Sequence, residues 1–171
     1  ESWAYPEVLL PSWKSLYRMG MQNYRYRLNV TVLDSLTVAN GGRLVEVKKA
    51  NGQSTYGYEN IKPAWRMDAA IAAYSILEEG PFKIFHFKED ADGAAAILSA
   101  LKSTIDLYSL WFGPPEKIEG FAVIEVPDGY GSQADVTSIL QTRPAFQRQD
   151  QMSEFYHEVS HIFDVRCTDP F

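Results

Sequence analysis

The sequence has little cysteine, no excess of basic residues and no long hydrophobic run, and each shortage excludes a class of protein. Its one cysteine, Cys167, excludes an internal disulfide and a cysteine-rich zinc module. With 16 Lys and Arg against 22 Asp and Glu, the formal net charge is −6, so the chain lacks the basic surface that binding to nucleic acid requires. No apolar run approaches the roughly 20 residues that span a bilayer, and residues 1–20 do not have the pattern of a signal peptide. We therefore expect a soluble segment with no nucleic-acid partner.

The composition supports a packed core. The chain has 171 residues, of which 46% are hydrophobic and 13% aromatic, and this is about the length of one domain. It starts at Glu1 and stops at Phe171, directly after the turn-forming pair Asp169-Pro170. We expect it to be a piece of a longer protein.

The first half of the sequence is typical of β-strands. Apolar and polar residues alternate between Tyr24 and Val32, which is the pattern of a half-buried strand. Asn40-Gly41-Gly42 predicts a hairpin between this strand and the next run, and Asn51-Gly52 predicts a second hairpin. Residues 20–88 are therefore expected to form one antiparallel β unit. Its remaining β-prone runs are residues 43–49, 54–59, 69–77 and 82–87.

The second half has the period of helices. Apolar residues recur at spacings of three and four between Ala94 and Phe112, which predicts a helix that Asp90 or Asp92 begins and Gly113 ends. Two short β-prone runs follow, and a last helix is predicted from Asp150 to about Val165. The fold class is therefore α+β, with a boundary near residues 88–93. The two short runs are residues 121–126 and 136–140.

The motif that carries chemistry lies near the end of the chain, where the sequence reads His157-Glu158-Val159-Ser160-His161. Two histidines four residues apart on a helix project from one face and can bind one metal ion. The glutamate between them can polarise a metal-bound water and accept its proton. The pattern predicts a zinc site with His157 and His161 as ligands and Glu158 as the catalytic base.

Two other interpretations of these histidines need no metal. One holds that they are buried structural residues, but on a helical wheel they lie almost opposite the apolar stripe of the helix. The other places them on a solvated polar face without a function. Only three histidines occur in the chain and two have metal-ligand spacing, so we favour the metal site. The third, His86, shares a strand face with Ile84, which predicts a packed or edge position.

A catalytic zinc site needs a third protein ligand and an open position for water. The longer pattern H-E-x-x-H-x-x-G-x-x-H would supply this ligand locally, and its last two fixed positions fall on Asp164 and Cys167. Cysteine can bind zinc, but Asp164 stands where that pattern has a helix-breaking glycine. The other arrangement uses a glutamate on a following helix, which we expect to lie beyond Phe171.

These residues resemble the zinc-dependent gluzincin aminopeptidases of the membrane alanyl aminopeptidase type, and the resemblance extends over most of the chain. Residues 29–42, 43–58 and 80–82 are similar to the later part of the family's N-terminal β-sandwich domain. Residues 93–114 and 118–127 are similar to the entry into its thermolysin-like catalytic domain.

The resemblance implies a division of the chain and a cofactor. Residues 1–89 would belong to the β-sandwich domain, and residues 90–171 to a truncated catalytic domain that carries the H-E-x-x-H helix. Zn2+ would be the cofactor. Its third ligand, a glutamate, and a transition-state tyrosine would both lie beyond Phe171.

One segment departs from the family pattern. The family's G-A-M-E-N segment contains a glutamate that binds the free α-amine of the substrate. The matching residues are Gly131, Ser132, Gln133, Ala134 and Asp135. Ala134 stands in the place of that glutamate, which removes the charge-assisted contact to the amine, although Asp135 is its neighbour and can partly replace it.

The resemblance implies that this segment borders the substrate site. It also implies that the strand at residues 136–141 lies beside the cleft and binds an extended substrate by backbone hydrogen bonds. A glycine-rich turn between two strands is the alternative interpretation of residues 128–135. The fragment Tyr130-Gly131-Ser132-Gln133 further resembles a bacterial subgroup whose full-length members are often membrane-associated, which implies a bacterial parent and fixes no compartment.

Two functions are compatible with these observations. One is an aminopeptidase-like zinc metallopeptidase that hydrolyses peptide bonds by metal-activated water, with Glu158 as general base. Its partners are a peptide substrate and the remainder of the parent chain. The other is a non-catalytic binding or scaffolding module that has kept the histidines without amine recognition. Neither substrate preference nor oligomeric state follows from the sequence.

Overall fold

The computed structural model describes residues 24–64, 66–115, 118 and 120–163, and it confirms an α+β fold. Seven strands precede the longest helix, and three strands and two short helices follow it. In chain order the elements are β1 (Tyr24–Leu33), β2 (Thr37–Ala39), β3 (Arg43–Ala50), β4 (Gln53–Ala64), β5 (Ala70–Ala72), β6 (Ser75–Glu79), β7 (Phe82–His86), α1 (Ala91–Phe112), β8 (Phe121–Val126), β9 (Gln133–Ala134), β10 (Ser138–Thr142), α2 (Pro144–Gln147) and α3 (Ser153–Ser160). No helix in the described part of the chain is long and apolar enough to cross a membrane.

Strand β4 is the centre of the first sheet, which has the order β1-β4-β3 with antiparallel neighbours. The hairpin at Asn51-Gly52 is confirmed, because both residues have positive φ (54° and 75°) and Ala50 pairs with Gln53 across them. The hairpin predicted at Asn40-Gly41-Gly42 is wrong. The tight turn commits one edge of β4 to β3, so β1 pairs with the other edge, and β2 joins β5 in a separate two-stranded sheet.

A five-stranded sheet has the order β6-β7-β8-β10-β9. Strands β7, β8 and β10 are parallel, whereas β6 and β9 are antiparallel edge strands. Parallel neighbours need a crossover connection, and α1 provides it between β7 and β8. Residues 20–88 therefore do not form one antiparallel unit, because β6 and β7 share a sheet with strands that follow α1. The division of a parent protein into domains at residue 89 stays a prediction.

The main hydrophobic core lies between this sheet and the helices. The predicted long helix is confirmed as α1, with Asp90 at its N-cap and Gly113, at φ 82°, at its end. Each large apolar side chain buried there stabilises the fold by about 1.5–3 kcal/mol. Fully buried members of the core are Ile84, Ile97, Leu101, Val123, Ile139, Phe155 and Val159.

Helix α2 lies against the first turn of α1, and Gly93 makes this contact possible. A Cβ atom at Gly93 would lie 1.9 Å from the carbonyl oxygen of Phe146, closer than any real contact. Because α2 is followed closely by α3, this contact also helps to set where α3 begins.

We expect Gly93→Ala to lower the free energy of unfolding by about 2 kcal/mol or more, because the backbone at Phe146 has to move. In a helix without such a contact, Gly→Ala raises the free energy of unfolding by about 0.5–1 kcal/mol. A decrease therefore indicates the close contact between Gly93 and Phe146. Urea unfolding measures it. Gly120→Ala is the control, because a Cβ there meets nothing within 4 Å. Equal stability of the two variants would contradict the close contact.

Candidate active site

Helix α3 carries the two histidines and is held by its apolar side. Phe155 and Val159 are fully buried in the main core. His157 and His161 are exposed. The predicted orientation of the histidines away from the apolar stripe is therefore confirmed, while their role as metal ligands stays a prediction.

The helix is shorter than predicted. The sequence predicts one helix over residues 150–165, but the structure has a 3-10 turn at Gln149–Gln151 and α3 only over Ser153–Ser160. The hydroxyl of Ser160 donates to the carbonyl oxygen of His157 at 2.6 Å. A continuing α-helix would pair that carbonyl with the N–H of His161, which instead donates to Glu158 three residues earlier. The helix therefore ends within the motif, where the pairing changes from four residues to three.

The two imidazole rings remain neighbours although the helix ends between them. Their centroids are 5.0 Å apart and their planes are inclined by 87°. His161 keeps nearly helical dihedral angles (φ −69°, ψ −11°), which preserves the four-residue relationship. At this separation one nitrogen of each ring can bind the same metal ion. Glu158 is only 8% exposed, so its carboxyl group is mostly shielded from solvent.

A complete metal site is not found in the described part of the chain, where no group of three or more His, Cys, Asp or Glu side chains could hold an ion. Asp164 and Cys167, the local candidates for a third ligand, lie outside the described residues. The donors that are present fit zinc chemically, because neutral imidazoles are among its usual ligands. His86 is buried and one ring nitrogen lies 2.8 Å from the carbonyl oxygen of Phe87, as expected for a structural histidine.

The segment at residues 131–135 contacts the first turn of α3 through Ser132. The hydroxyl of Ser132 donates to Glu154 Oε2 at 2.9 Å. Ser132 Oγ also accepts from the side-chain amide of Gln141 at 2.9 Å and from the backbone N–H of Thr142 at 3.3 Å. Ser132 therefore joins the segment, β10 and the helix that carries the histidines.

The other end of the segment faces the N-terminal strands. The backbone carbonyl of Gln133 accepts from Arg66 at 3.2 Å, and the side-chain carbonyl of Gln133 accepts from the same guanidinium. Arg66 also forms a buried ion pair with Asp68, with a distance of 2.8 Å. Asp135, which is 9% exposed, lies in the field of both. Asp135 was expected to replace the family's glutamate at the substrate site. Its carboxyl group instead lies in this polar cluster and not beside the histidine pair.

Burial is the main reason that the pKa of Asp135 is raised to about 6. The nearby Asp68 carboxylate raises it further, while Arg66 and the backbone N–H of Val136 act in the opposite direction. The pKa of Asp68 is raised as well, again chiefly by burial. Two carboxyl groups therefore depend on one guanidinium at the junction between the N-terminal strands and β9.

The edge of β10 is not free along its whole length. The sequence predicts that the strand at residues 136–141 binds substrate by its backbone, but β9 pairs with Ile139 and Leu140 of β10. On its other side, β10 pairs with β8. The short strand β9, which contains Gln133 and Ala134, is the edge strand of this sheet. A substrate strand would therefore have to add to β9, because β9 covers the edge of β10 at these residues.

Sequence reasoning missed a second group of ionisable side chains, in which Glu125 and Asp90 are buried and Arg143 is partly exposed. Arg143 Nε lies 2.7 Å from Asp90 Oδ2. The signal was present, because Glu125 is the one charged residue in the apolar run at residues 121–126 and is fully buried in β8.

Comparisons with known proteins identify a fold and no closer relation. No protein-family model and no curated protein matches the chain. Among solved structures, a mutant two-domain M1 zinc metallopeptidase bound to L-arginine has a TM-score of 0.55 and 15% identity, over 81% of this chain and 33% of that one. A mutant M1 zinc metallopeptidase from Deinococcus radiodurans has a TM-score of 0.55 and 16% identity, over 81% of this chain and 34% of that one. The chain thus shares a fold with about a third of the length of these structures.

Ser132→Ala should lower the free energy of unfolding by about 1–2 kcal/mol, because it removes one donor and leaves the Gln141 amide and the Thr142 N–H without this acceptor. The matched control is Ser103→Ala on the exposed face of α1, where the hydroxyl only donates to the carbonyl oxygen of Ser99. That change should be nearly neutral. Urea unfolding of both variants tests the role of Ser132, and an equal effect at the two serines would disprove it.

Asp135→Asn should change the pH dependence of stability. Because the folded pKa of Asp135 is raised to about 6, its contribution is fully present below its ordinary pKa and is lost as the pH rises through 6. The asparagine variant should therefore gain about 2 kcal/mol relative to the native chain between pH 4 and pH 7.5. Asp106→Asn, at an exposed position on α1, is the control. An unchanged difference across this range would contradict the burial of an acidic Asp135.

Proposed function

We propose that this chain is the part of a zinc metallopeptidase that carries two metal ligands, His157 and His161, and the general base Glu158. The observation that carries the proposal is the pair of exposed imidazole rings with centroids 5.0 Å apart on a helix that the core holds in place. The likeness in fold to proteins named as M1 zinc metallopeptidases supports the same class.

Each residue of the motif has a separate task in this proposal. Zinc, when bound, lowers the pKa of a coordinated water and polarises the substrate carbonyl. His157 and His161 would hold the ion through one ring nitrogen each. Glu158 accepts the proton of the attacking water and later donates it to the leaving amine. The low exposure of Glu158 strengthens its electrostatic interactions with the water and the ion, because charges interact more strongly away from bulk water.

The helix contributes orientation. Phe155 and Val159 are completely buried, which limits the rotation of α3 about its axis. The link from Ser132 to Glu154 holds the first turn of the same helix. A site on such an element keeps its donors aligned before the substrate binds.

The proposal needs residues outside the described part of the chain. Following the resemblance, we place the third ligand, a glutamate, and a transition-state tyrosine beyond Phe171, so the remainder of a parent chain is a required partner. We further propose a peptide as substrate, an aminopeptidase-like specificity of the membrane alanyl type, and a bacterial parent. In this arrangement the segment from Gly131 to Asp135 borders the substrate.

A non-catalytic peptide-binding or scaffolding module is the second candidate, and one observation favours it. Asp135 is the only acidic residue of the segment at residues 131–135 and is buried beside Asp68 and Arg66. The segment therefore presents no exposed carboxylate that could bind a substrate amine. A module that has lost amine recognition would have this feature.

Zinc titration followed by NMR of the histidine rings tests the metal site in the 171-residue chain. We expect the ring signals of His157 and His161 to shift together, while those of buried His86 stay unchanged as a control within the same sample. With only two imidazoles, the ion should be removed by dialysis, and the chain alone should not hydrolyse a panel of peptides.

Three outcomes would count against the proposal. Ring signals of His157 and His161 that do not respond to zinc would exclude the shared site. Tightly held, stoichiometric zinc would show that Cys167 or another residue of this chain completes it. In an active longer protein that contains these residues, Glu158→Gln should lower kcat by about 10²–10⁴-fold with unchanged zinc content, and a smaller effect would exclude Glu158 as the base.

A further inference from the structure

Two polar side chains are fully buried side by side at the carboxyl ends of β8 and β10. Glu125 and Gln141 are register partners on these parallel strands, and neither is exposed to solvent. Each follows a residue of the main core, Val123 or Ile139, by two positions, so both lie on the sheet face that the helices cover. An ionised carboxylate in such a place is costly unless donors or cations compensate its charge.

The two oxygens of the Glu125 carboxyl have different surroundings. Oε2 accepts the backbone N–H of Phe87 at 2.7 Å. Oε1 is buried and accepts no hydrogen bond from the described residues, and the Nε of Arg143 lies 3.7 Å from it. An oxygen with no donor is explained if it carries a proton itself.

The cation that could compensate Glu125 is already taken by other carboxylates. Arg143 donates from Nε to Asp90 at 2.7 Å and from Nη2 to Glu89 at 2.8 Å. Asp90 also accepts from the side-chain amide of Gln147. Arg143 Nε lies 2.7 Å from Asp90 Oδ2 and 3.7 Å from Glu125 Oε1, so the two carboxyl groups lie beside the same nitrogen. With Glu125 ionised, three carboxylates would share one guanidinium.

We propose that Glu125 and Asp90 share one proton, carried by Glu125, and that this proton determines where Arg143 and helix α2 lie. While the proton is present, Glu125 donates to Asp90, and Arg143 stays with Asp90 and Glu89. When the proton leaves, Glu125 becomes an anion 3.7 Å from the guanidinium and attracts it away from Asp90. The pair is a pH-sensitive switch at the end of the sheet.

The switch can act on α2 because Arg143 is its N-cap residue. Gln147, in the last position of α2, donates to Asp90 at 3.3 Å. Gly93 and Phe146 are in close contact at the same junction, so a displacement of α2 has to move the start of α1 or the connection to α3. The helix that carries His157 and His161 therefore follows a segment whose position depends on pH.

The direction of the effect follows from the groups around the pair. The pKa of Glu125 is raised to about 8, chiefly by burial and also by Asp90, while the N–H of Phe87 and the charge of Arg143 act in the opposite direction. Burial also raises the pKa of Asp90, but hydrogen bonds from Glu125, Gln147 and Arg143 outweigh it and leave that pKa below its ordinary value. The stability contribution of Glu125 is thus fully present below its ordinary pKa and is lost as the pH rises through 8.

Other groups near the pair have to be followed separately. Tyr74 donates its hydroxyl to the backbone carbonyl of Glu125 at 2.7 Å, and burial raises its pKa to about 12, outside the range of interest. Buried His86, in the last position of β7, directly precedes Phe87, whose N–H donates to Glu125. Its ring signals must be recorded in the same experiment.

Carboxyl 13C NMR of the native 171-residue chain between pH 4 and pH 10 tests the shared proton directly. We expect the Glu125 signal to titrate near pH 8 and the backbone signals of α2 to shift with the same midpoint. A midpoint in the ordinary range of glutamate would overturn the proposal. Backbone signals of α2 that do not change near pH 8 would overturn the claim that the proton determines the position of α2.

Glu125→Gln provides an independent measurement, because its amide can donate to Asp90 and accept from Phe87 at every pH. We compare the unfolding equilibrium constant of the native chain with that of this variant. The ratio of the two should rise more than about tenfold between pH 5 and pH 8. Glu79→Gln, an exposed position paired with Lys102, should follow the native chain. The same pH dependence in native chain and Glu125→Gln would contradict the proposal. If Glu125→Gln does not fold, the carboxyl titration of the native chain decides.

Discussion

Because β7, β8 and β10 are parallel, their carboxyl ends lie at the same end of the sheet. The helices start from that end. Helix α1 starts after β7 and crosses back over the sheet, while α2 and α3 start after β10. Because β9 folds back on β10, Ser132 comes next to Glu154 on the histidine helix. Both the buried carboxyl pair and the candidate active site therefore depend on one pairing pattern.

Carboxyl groups are buried beside an arginine at two junctions of this fold, and each junction joins parts that are distant in sequence. At one, Arg66 and Asp68 of the N-terminal part meet Gln133 and Asp135. At the other, Arg143 meets Asp90 at the start of α1. In both places burial raises the pKa of a carboxyl group above its ordinary value, so the junctions respond to pH while the apolar core does not.

Local patterns predicted the elements, and long-range pairing limited what else could be predicted. The period of α1, the glycine after it and the Asn51-Gly52 turn are properties of neighbouring residues, and the structure confirms them. The strand order is different, because β1 pairs with β4 instead of β3, and β7 pairs with β8. These pairings depend on which strand edges are free, and the sequence of a single strand does not predict them. The end of α3 at Ser160 coincides with a change of hydrogen-bond partners at His157 and His161, which the spacing of apolar residues does not reveal.

The orientation of the candidate site was predictable for the same reason, because a helical wheel places His157 and His161 opposite the residues that the core buries. What surrounds them was not, since Arg66, whose charge lowers the pKa of Asp135, is distant from Asp135 in the sequence. The most direct test of the zinc site is anomalous diffraction at the zinc edge from crystals of this chain soaked with zinc. The account predicts a peak about 2.0–2.1 Å from one nitrogen each of His157 and His161. No peak between these rings, or zinc bound at Cys167 without His157, would contradict it.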